Sequence, residues 1–306
     1  MTAALPRFAG TYVALVTPFL ADGAFDEPSY KRLVEYVIEG GVTGVVPCGT
    51  TGEKSTLTTE EHQRVIECTI ALVAGRAKVI AGAGSNDTAQ AIVMTSFAKR
   101  AGADAALSTA PYYNKPTQEG LFRHYSAIAE KADFPIIIYN VPGRTSVNVA
   151  VETIARLMSD PRVAGVKDAA GPVETTMELV RAARSLRGEG KADFTILSGD
   201  DSLTFPKIAI GAHGVISVNA NEVPREMSAM VRAALAGDYD KALEIHYRIY
   251  DIMTGNFIET NPGPVKYALW RMGVIARETL RLPLCEMNAP NKQKMDKILA
   301  ELNLIR

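Results

Sequence analysis

Eight short apolar runs, each followed by a stretch with helical patterning, constrain this chain more than any other feature of its 306 residues. The runs are Tyr12–Val16, Gly44–Pro47, Lys78–Ala81, Asp104–Ser108, Pro135–Tyr139, Val163–Lys167, Phe194–Ser198 and Gly214–Val218. Most lie roughly 30 residues apart, which leaves room for one crossover helix between successive parallel strands. Ile136-Ile137-Ile138 is apolar at every position, as a strand buried on both faces must be. The intervening segments Glu27–Glu39, Thr59–Ala74, Ala89–Arg100 and Gln118–Lys131 suit helices. Two of them carry start signals: Thr58 ahead of Glu60 and Glu61, and Asp26 ahead of Pro28. Eight such units in about 220 residues predict an α/β chain folded as a (β/α)8 TIM barrel before a doubly wound sheet.

The barrel is expected over residues 1–223, with a helical C-terminal extension over residues 224–306. Helices are predicted there at Arg225–Ala236, Tyr239–Thr254, Pro264–Met272 and Asn291–Leu302, with Trp270 in the core of that extension. Hydrophobic residues make up 47% of the chain and the formal net charge is -1, so charge gives no reason to expect nucleic acid or an anionic membrane as partner. No apolar run reaches the ~20 residues of a membrane helix, and no basic-then-apolar leader opens the chain. Cys48, Cys68 and Cys285 are scattered, which fits a reducing compartment and makes the cytoplasm the expected address.

In such a barrel the chemistry comes from the C-terminal strand ends and the loops that follow them. The second run leads into Gly49-Thr50-Thr51-Gly52-Glu53, where glycines allow close approach and hydroxyls with amides can hold a small carboxylate. Pro111-Tyr112-Tyr113-Asn114-Lys115-Pro116 follows the fourth run, and Tyr139-Asn140-Val141-Pro142-Gly143-Arg144-Thr145 ends the fifth. Lys167 ends the sixth, Ser198-Gly199-Asp200-Asp201 the seventh, and Ile216 lies in the eighth. A lysine in a dry pocket at a strand end is disfavoured as an ammonium and can attack a carbonyl as an amine. A phenol can carry its protons, and an arginine can grip a carboxylate through two N–H groups. Each residue also has a bland reading: Lys167 paired with Asp168, Thr50-Thr51 as a turn, Tyr112-Tyr113 as loop packing, Arg144 in a surface ion pair. Their joint placement favours a Schiff-base enzyme acting on a small keto acid.

Ala81-Gly82-Ala83-Gly84-Ser85-Asn86 lacks the spacing of a dinucleotide site. Asp200-Asp201 reads as a helix cap, and His62, His124, His213 and His246 lack metal-ligand spacing, so no metal is expected.

These motifs, in this order and with Gly214-Val215-Ile216-Ser217-Val218, closely resemble the dihydrodipicolinate synthase family over essentially the whole chain. The resemblance implies condensation of pyruvate with L-aspartate 4-semialdehyde, at the entry to the diaminopimelate route to lysine, without cofactor or metal. Lys167 would form the pyruvate imine and Tyr139 would donate and accept protons. Thr50 and Tyr113 would complete a hydroxyl relay, Tyr113 reaching in from a neighbouring subunit of a homotetramer built as a dimer of dimers. Thr51, Ile216 and Gly199 would bind substrate, and Arg144 would bind the semialdehyde carboxylate. Sugar-acid aldolases of the wider superfamily lack the Gly-Arg-Thr stretch, although another aldolase or a catalytically silent barrel is the alternative. Positions matching the family's lysine-effector site are Ser55, Thr59, His62, Asn86, Gln90 and Tyr112. An uncharged Gln90 where a glutamate would grip the effector amine implies weak or absent inhibition by lysine.

Overall fold

A computed structural model describes residues 5–188 and 193–305. Eight strands follow the expected runs to within a residue or two: β1 (Gly10–Ala14), β2 (Gly44–Val46), β3 (Lys78–Gly82), β4 (Ala105–Thr109), β5 (Ile136–Asn140), β6 (Val163–Asp168), β7 (Thr195–Ser198) and β8 (Gly214–Ser217). The paired strands are parallel, and their hydrogen-bonded order β1 through β8 closes into a barrel. Helices α1 (Glu27–Glu39), α2 (Thr59–Val73), α3 (Thr88–Ala101), α4 (Gln118–Ala132), α5 (Pro142–Thr145), α6 (Val151–Leu157), α7 (Val173–Gly188) and α8 (Thr204–Ala209) lie between the strands. The chain is thus a (β/α)8 TIM barrel with further helices at its C-terminal end. Those are α9 (Pro224–Ala236), α10 (Tyr239–Arg248), α11 (Tyr250–Gly255), α12 (Gly263–Arg271) and α13 (Ala289–Glu301).

The helix-start signals act as their chemistry predicts. The Thr58 hydroxyl accepts from Glu61 N–H while the Glu61 carboxylate accepts from Thr58 N–H, a reciprocal capping box. Asp26 caps α1 by accepting from Ser29 N–H at 3.1 Å. Asp200 accepts from the N–H groups of Ser202 and Leu203 in the turn before α8, so it shapes that turn rather than capping the helix itself.

The chain divides into two compact units. One comprises Ile80–Ile216 with the start of the chain up to Gly10, and the other comprises Thr11–Val79 with Ser217–Arg306. In the first, β4 to β7 form a continuous ladder whose register pairs Thr109 with Tyr139, Tyr139 with Lys167, and Lys167 with Leu197. Gly165 permits the close approach of β7: a Cβ there would stand 2.4 Å from the Thr195 carbonyl oxygen. In the second, α1 packs on α9 at Gly40, where a Cβ would meet Pro224 Cβ at 2.4 Å. Tyr36 donates to the Glu222 carbonyl, and Asn221 Nδ2 donates to the carbonyls of Ala14 and Val218 at 2.8 Å each.

Two expectations about the C-terminal helices need correction. Tyr239–Thr254 is not one helix; Ile249 leaves helical geometry at φ -107°, ψ 12°, and the chain turns there into α11. The turn keeps Ile249, Ile252 and Met253 buried while Tyr247 and Tyr250 stay outside. Trp270 is 41% exposed and leans on Tyr267 rather than filling the core.

Candidate active site

Strand alternation sends Lys167 and Asp168 to opposite faces of β6. The Asp168 carboxylate accepts from Lys207 Nζ at 2.9 Å and from Thr176 Oγ1 at 2.6 Å, both buried. The expected alternative, Lys167 paired with Asp168, is therefore absent: that carboxylate is committed to a lysine on α8.

Lys167 is 6% exposed, and its Nζ lies 4.2 Å from the centroid of the Tyr139 ring on the neighbouring strand. Among the described residues no carboxylate or hydrogen-bond acceptor meets that amine. The two other lysines buried among the described residues differ. Lys207 is held by Asp168, and Lys266 donates to Glu53 at 2.5 Å and to the Thr279 carbonyl at 2.6 Å. Burial pushes Lys266 down to about 8, against the opposing pull of Glu53. Buried lysines are almost always paired, so an amine that lies over an aromatic ring with no carboxylate among the described residues makes Lys167 the candidate nucleophile of this site.

Gly199 follows β7 and donates its N–H to the Asp168 carbonyl at 2.8 Å. A Cβ at Gly199 would stand 2.7 Å from Ala169 Cβ and 3.2 Å from Lys167 Cε. The glycine thus leaves space for the lysine stem. Arg144 sits on the short helix α5 beyond β5 and is exposed, with no ion pair among the described residues. Its bland reading as half of a surface salt bridge therefore does not hold. Ile216 is buried in β8.

Tyr113 is 91% exposed and has a φ of 69°. The Asn114 N–H bonds the Tyr112 carbonyl across it at 2.8 Å, a γ-turn that aims the ring away from its own loop. Asn86 braces this turn, donating to the Tyr112 carbonyl at 3.3 Å and accepting from Asn114 Nδ2 at 2.8 Å through its own carbonyl. Asn86 and Tyr112 are thus brought together, and Gln90 lies exposed in the first turn of α3.

In the second unit, Gly49–Glu53 forms a tight turn. Glu53 N–H bonds the Thr50 carbonyl at 3.1 Å, and Thr17 Oγ1 donates to the Gly52 carbonyl at 2.7 Å. Gly52 allows close approach, because a Cβ there would crowd Cys48 N at 3.0 Å and the Leu15 carbonyl oxygen at 3.1 Å. The N–H groups of Thr50, Thr51 and Gly52 donate to no group among the described residues, although Thr51 and Gly52 are buried. Buried donors left without partners are rare and suit an anion. The Thr51 hydroxyl accepts from Asn261 Nδ2 at 3.0 Å. Ser55 and Thr59 are exposed nearby in sequence, and His62 is buried with its carbonyl facing Cys48 Sγ.

Sequence reasoning missed Asn261, Lys207 and Lys266. Lys266 had a signal like that of Lys167, a lysine inside an apolar run, here Val265 to Trp270. Asn261 had none, since its partner is 210 positions away in the chain.

Fold and site define a parallel barrel that presents an unpaired buried lysine beside a tyrosine, the equipment of an imine-forming enzyme. Residues 7–302 match the model of the dihydrodipicolinate synthetase family. A 4-hydroxy-tetrahydrodipicolinate synthase of Thermodesulfovibrio yellowstonii is 50% identical, covering 98% of this chain and all of that relative. One of Geotalea uraniireducens is also 50% identical over 97% of this chain and all of its own length. The crystal structure of dihydrodipicolinate synthase from Aquifex aeolicus superposes with a TM-score of 0.92 at 45% identity, over 97% of this chain and 99% of that one. The chain belongs to the dihydrodipicolinate synthetase family.

Proposed function

We propose that this protein is a Schiff-base-forming lyase that condenses pyruvate with L-aspartate 4-semialdehyde to 4-hydroxy-tetrahydrodipicolinate, in the diaminopimelate route of lysine biosynthesis. The observation that carries this reading is the Lys167 amine, buried, free of any carboxylate among the described residues, and 4.2 Å from the Tyr139 ring. The full-length relatives bearing that synthase name support it.

The Lys167 amine adds to the ketone carbon of pyruvate, giving a carbinolamine, and loss of water leaves an imine. The imine withdraws electrons, so a methyl proton leaves and an enamine forms; no organic cofactor is needed as electron sink. The enamine carbon attacks the aldehyde of the second substrate. The amine of that substrate then displaces Lys167 from the imine carbon, closing the ring and regenerating the free lysine. Tyr139 donates and accepts the protons of these steps, relayed through Thr50 and Tyr113. Thr51 holds the pyruvate carboxylate, a role its unpaired neighbouring N–H groups support. Gly199 and Ile216 line the same subsite, and Arg144 grips the semialdehyde carboxylate. Residues 1–223 form the catalytic barrel and 224–306 its helical extension.

The working form is a homotetramer, a dimer of dimers, in which Tyr113 serves the partner's site. A tyrosine 91% exposed on a braced γ-turn supports that role, because its ring is presented outward at a conformational cost. The protein acts in the cytoplasm; among the described residues no helix is long and apolar enough to cross a membrane.

Incubation with pyruvate and borohydride should leave a reduced adduct on Lys167, read by mass spectrometry, and aspartate semialdehyde should be turned over. No adduct would favour a catalytically silent barrel. An adduct without turnover of that aldehyde would favour another aldolase.

A further inference from the structure

We infer that Asn261 is a positioning residue for the pyruvate carboxylate, acting through the Thr51 hydroxyl; this rests on the reading of Thr51 given above. Asn261 precedes α12 and is buried, and its side-chain Nδ2 donates to Thr51 Oγ1 at 3.0 Å. A hydroxyl offers one proton and two lone pairs. With one lone pair taken by an N–H donor, the proton is turned away from Asn261. Thr51 then presents its O–H as a donor, on the same residue whose backbone N–H has no partner among the described residues.

A carboxylate can only accept, so it binds a hydroxyl whose proton faces it and is repelled by one whose lone pair does. Asn261 therefore selects the hydroxyl orientation that a keto acid requires. Its other atom is informative too. Asn261 Oδ1 is buried and has no hydrogen-bond partner among the described residues. That arrangement is costly for a side chain whose only task is packing. Moreover, the same segment braces the loop a second time, through the buried Lys266–Glu53 pair and the Arg281 N–H that donates to Glu53 at 3.2 Å. The loop is thus fixed at Glu53 by charge, and the hydroxyl at Thr51 is aimed by Asn261.

The substitutions N261A and N261D separate this role from packing. N261A removes the donor. N261D replaces it with an acceptor, which would turn the Thr51 proton inward and add a negative charge. The readouts are the steady-state KM for each substrate and the pyruvate concentration giving half-maximal borohydride trapping on Lys167. Half-saturation by pyruvate should rise about tenfold in N261A and further in N261D. The KM for aspartate semialdehyde should stay within about twofold. In a Thr51→Val background, N261A should add less than about twofold, because the hydroxyl it aims is gone.

A pyruvate half-saturation within twofold of the unsubstituted protein in N261A would overturn the inference. So would an effect of equal size in the Thr51→Val background. If N261A fails to fold, N261S replaces it, and the same double-substitution comparison decides. An unsubstituted protein that forms no adduct at any pyruvate concentration would instead overturn the reading of the site itself.

Discussion

Among the described residues Lys167 has no ion pair, because alternation along one strand gives the carboxylate of its neighbour to another lysine. Its freedom also depends on a missing methyl group at Gly199. Gly199→Ala would put a Cβ 2.7 Å from Ala169 Cβ, so that segment must shift, and 3.2 Å from Lys167 Cε, so the lysine stem is crowded. Misplacing a nucleophile by about 1 Å costs on the order of a hundredfold. The expected outcome is a fall in kcat of roughly ten- to a hundredfold, with the adduct still forming, only more slowly, in the borohydride assay. Gln90 sets a second expectation at this scale. Exposed and uncharged, it offers no counterion to the amine of a lysine effector, so a titration of activity should show no half-inhibition below millimolar lysine.

At the scale of elements, β6 is tied to α8 by a buried ion pair. Lys207 Nζ donates to both the Asp168 carboxylate and the Asp168 carbonyl, at 2.9 and 3.0 Å, and both side chains are inaccessible. Removing one partner leaves an uncompensated buried charge, which costs about 3–5 kcal/mol. Lys207→Met should therefore lower the urea midpoint strongly, and Lys207→Met with Asp168→Asn should recover part of the loss. The test at this level is stability, since Lys207 itself touches no group assigned to substrate.

At the scale of the molecule, acid acts through buried and paired groups. Burial holds the His124 imidazole at about 4, well below its ordinary 6.5. The folded form keeps it neutral, so its contribution to stability is present above pH 6.5 and is lost as the pH falls through about 4. Glu61 is held at about 2 by hydrogen bonds from Arg281, below its ordinary 4.5. Its contribution is present above pH 4.5 and lost as the pH falls through about 2. Urea midpoints across pH should show two successive acid losses, the first flattened in His124→Gln and the second in Glu61→Gln. Assembly can be read by complementation. Lys167→Ala and Tyr113→Phe should each be impaired alone, while a refolded equal mixture should regain activity at about a quarter of the sites. No regain on mixing would exclude Tyr113 from the partner's site.

The barrel was legible because its cause is local and periodic: strands apolar at every position, helices with polar faces, Thr58 and Asp26 at helix starts. The positions of Lys167 and Tyr139 in the barrel were legible because they lie at the ends of such strands. The break at Ile249 was not, since it depends on which residues find a buried surface, and Trp270 looked like core for want of that knowledge. The sequence by itself determined the fold class and the strand end at which Lys167 stands, along with the small turns that a Gly-Thr-Thr-Gly-Glu loop must make. Only the tertiary structure decided that Asp168 belongs to Lys207, that Glu53 belongs to Lys266, and that Asn261 donates to Thr51. The reason is physical: strand and helix periodicity is written in neighbouring residues, whereas a hydrogen bond between positions 210 residues apart exists only once folding has removed water from both.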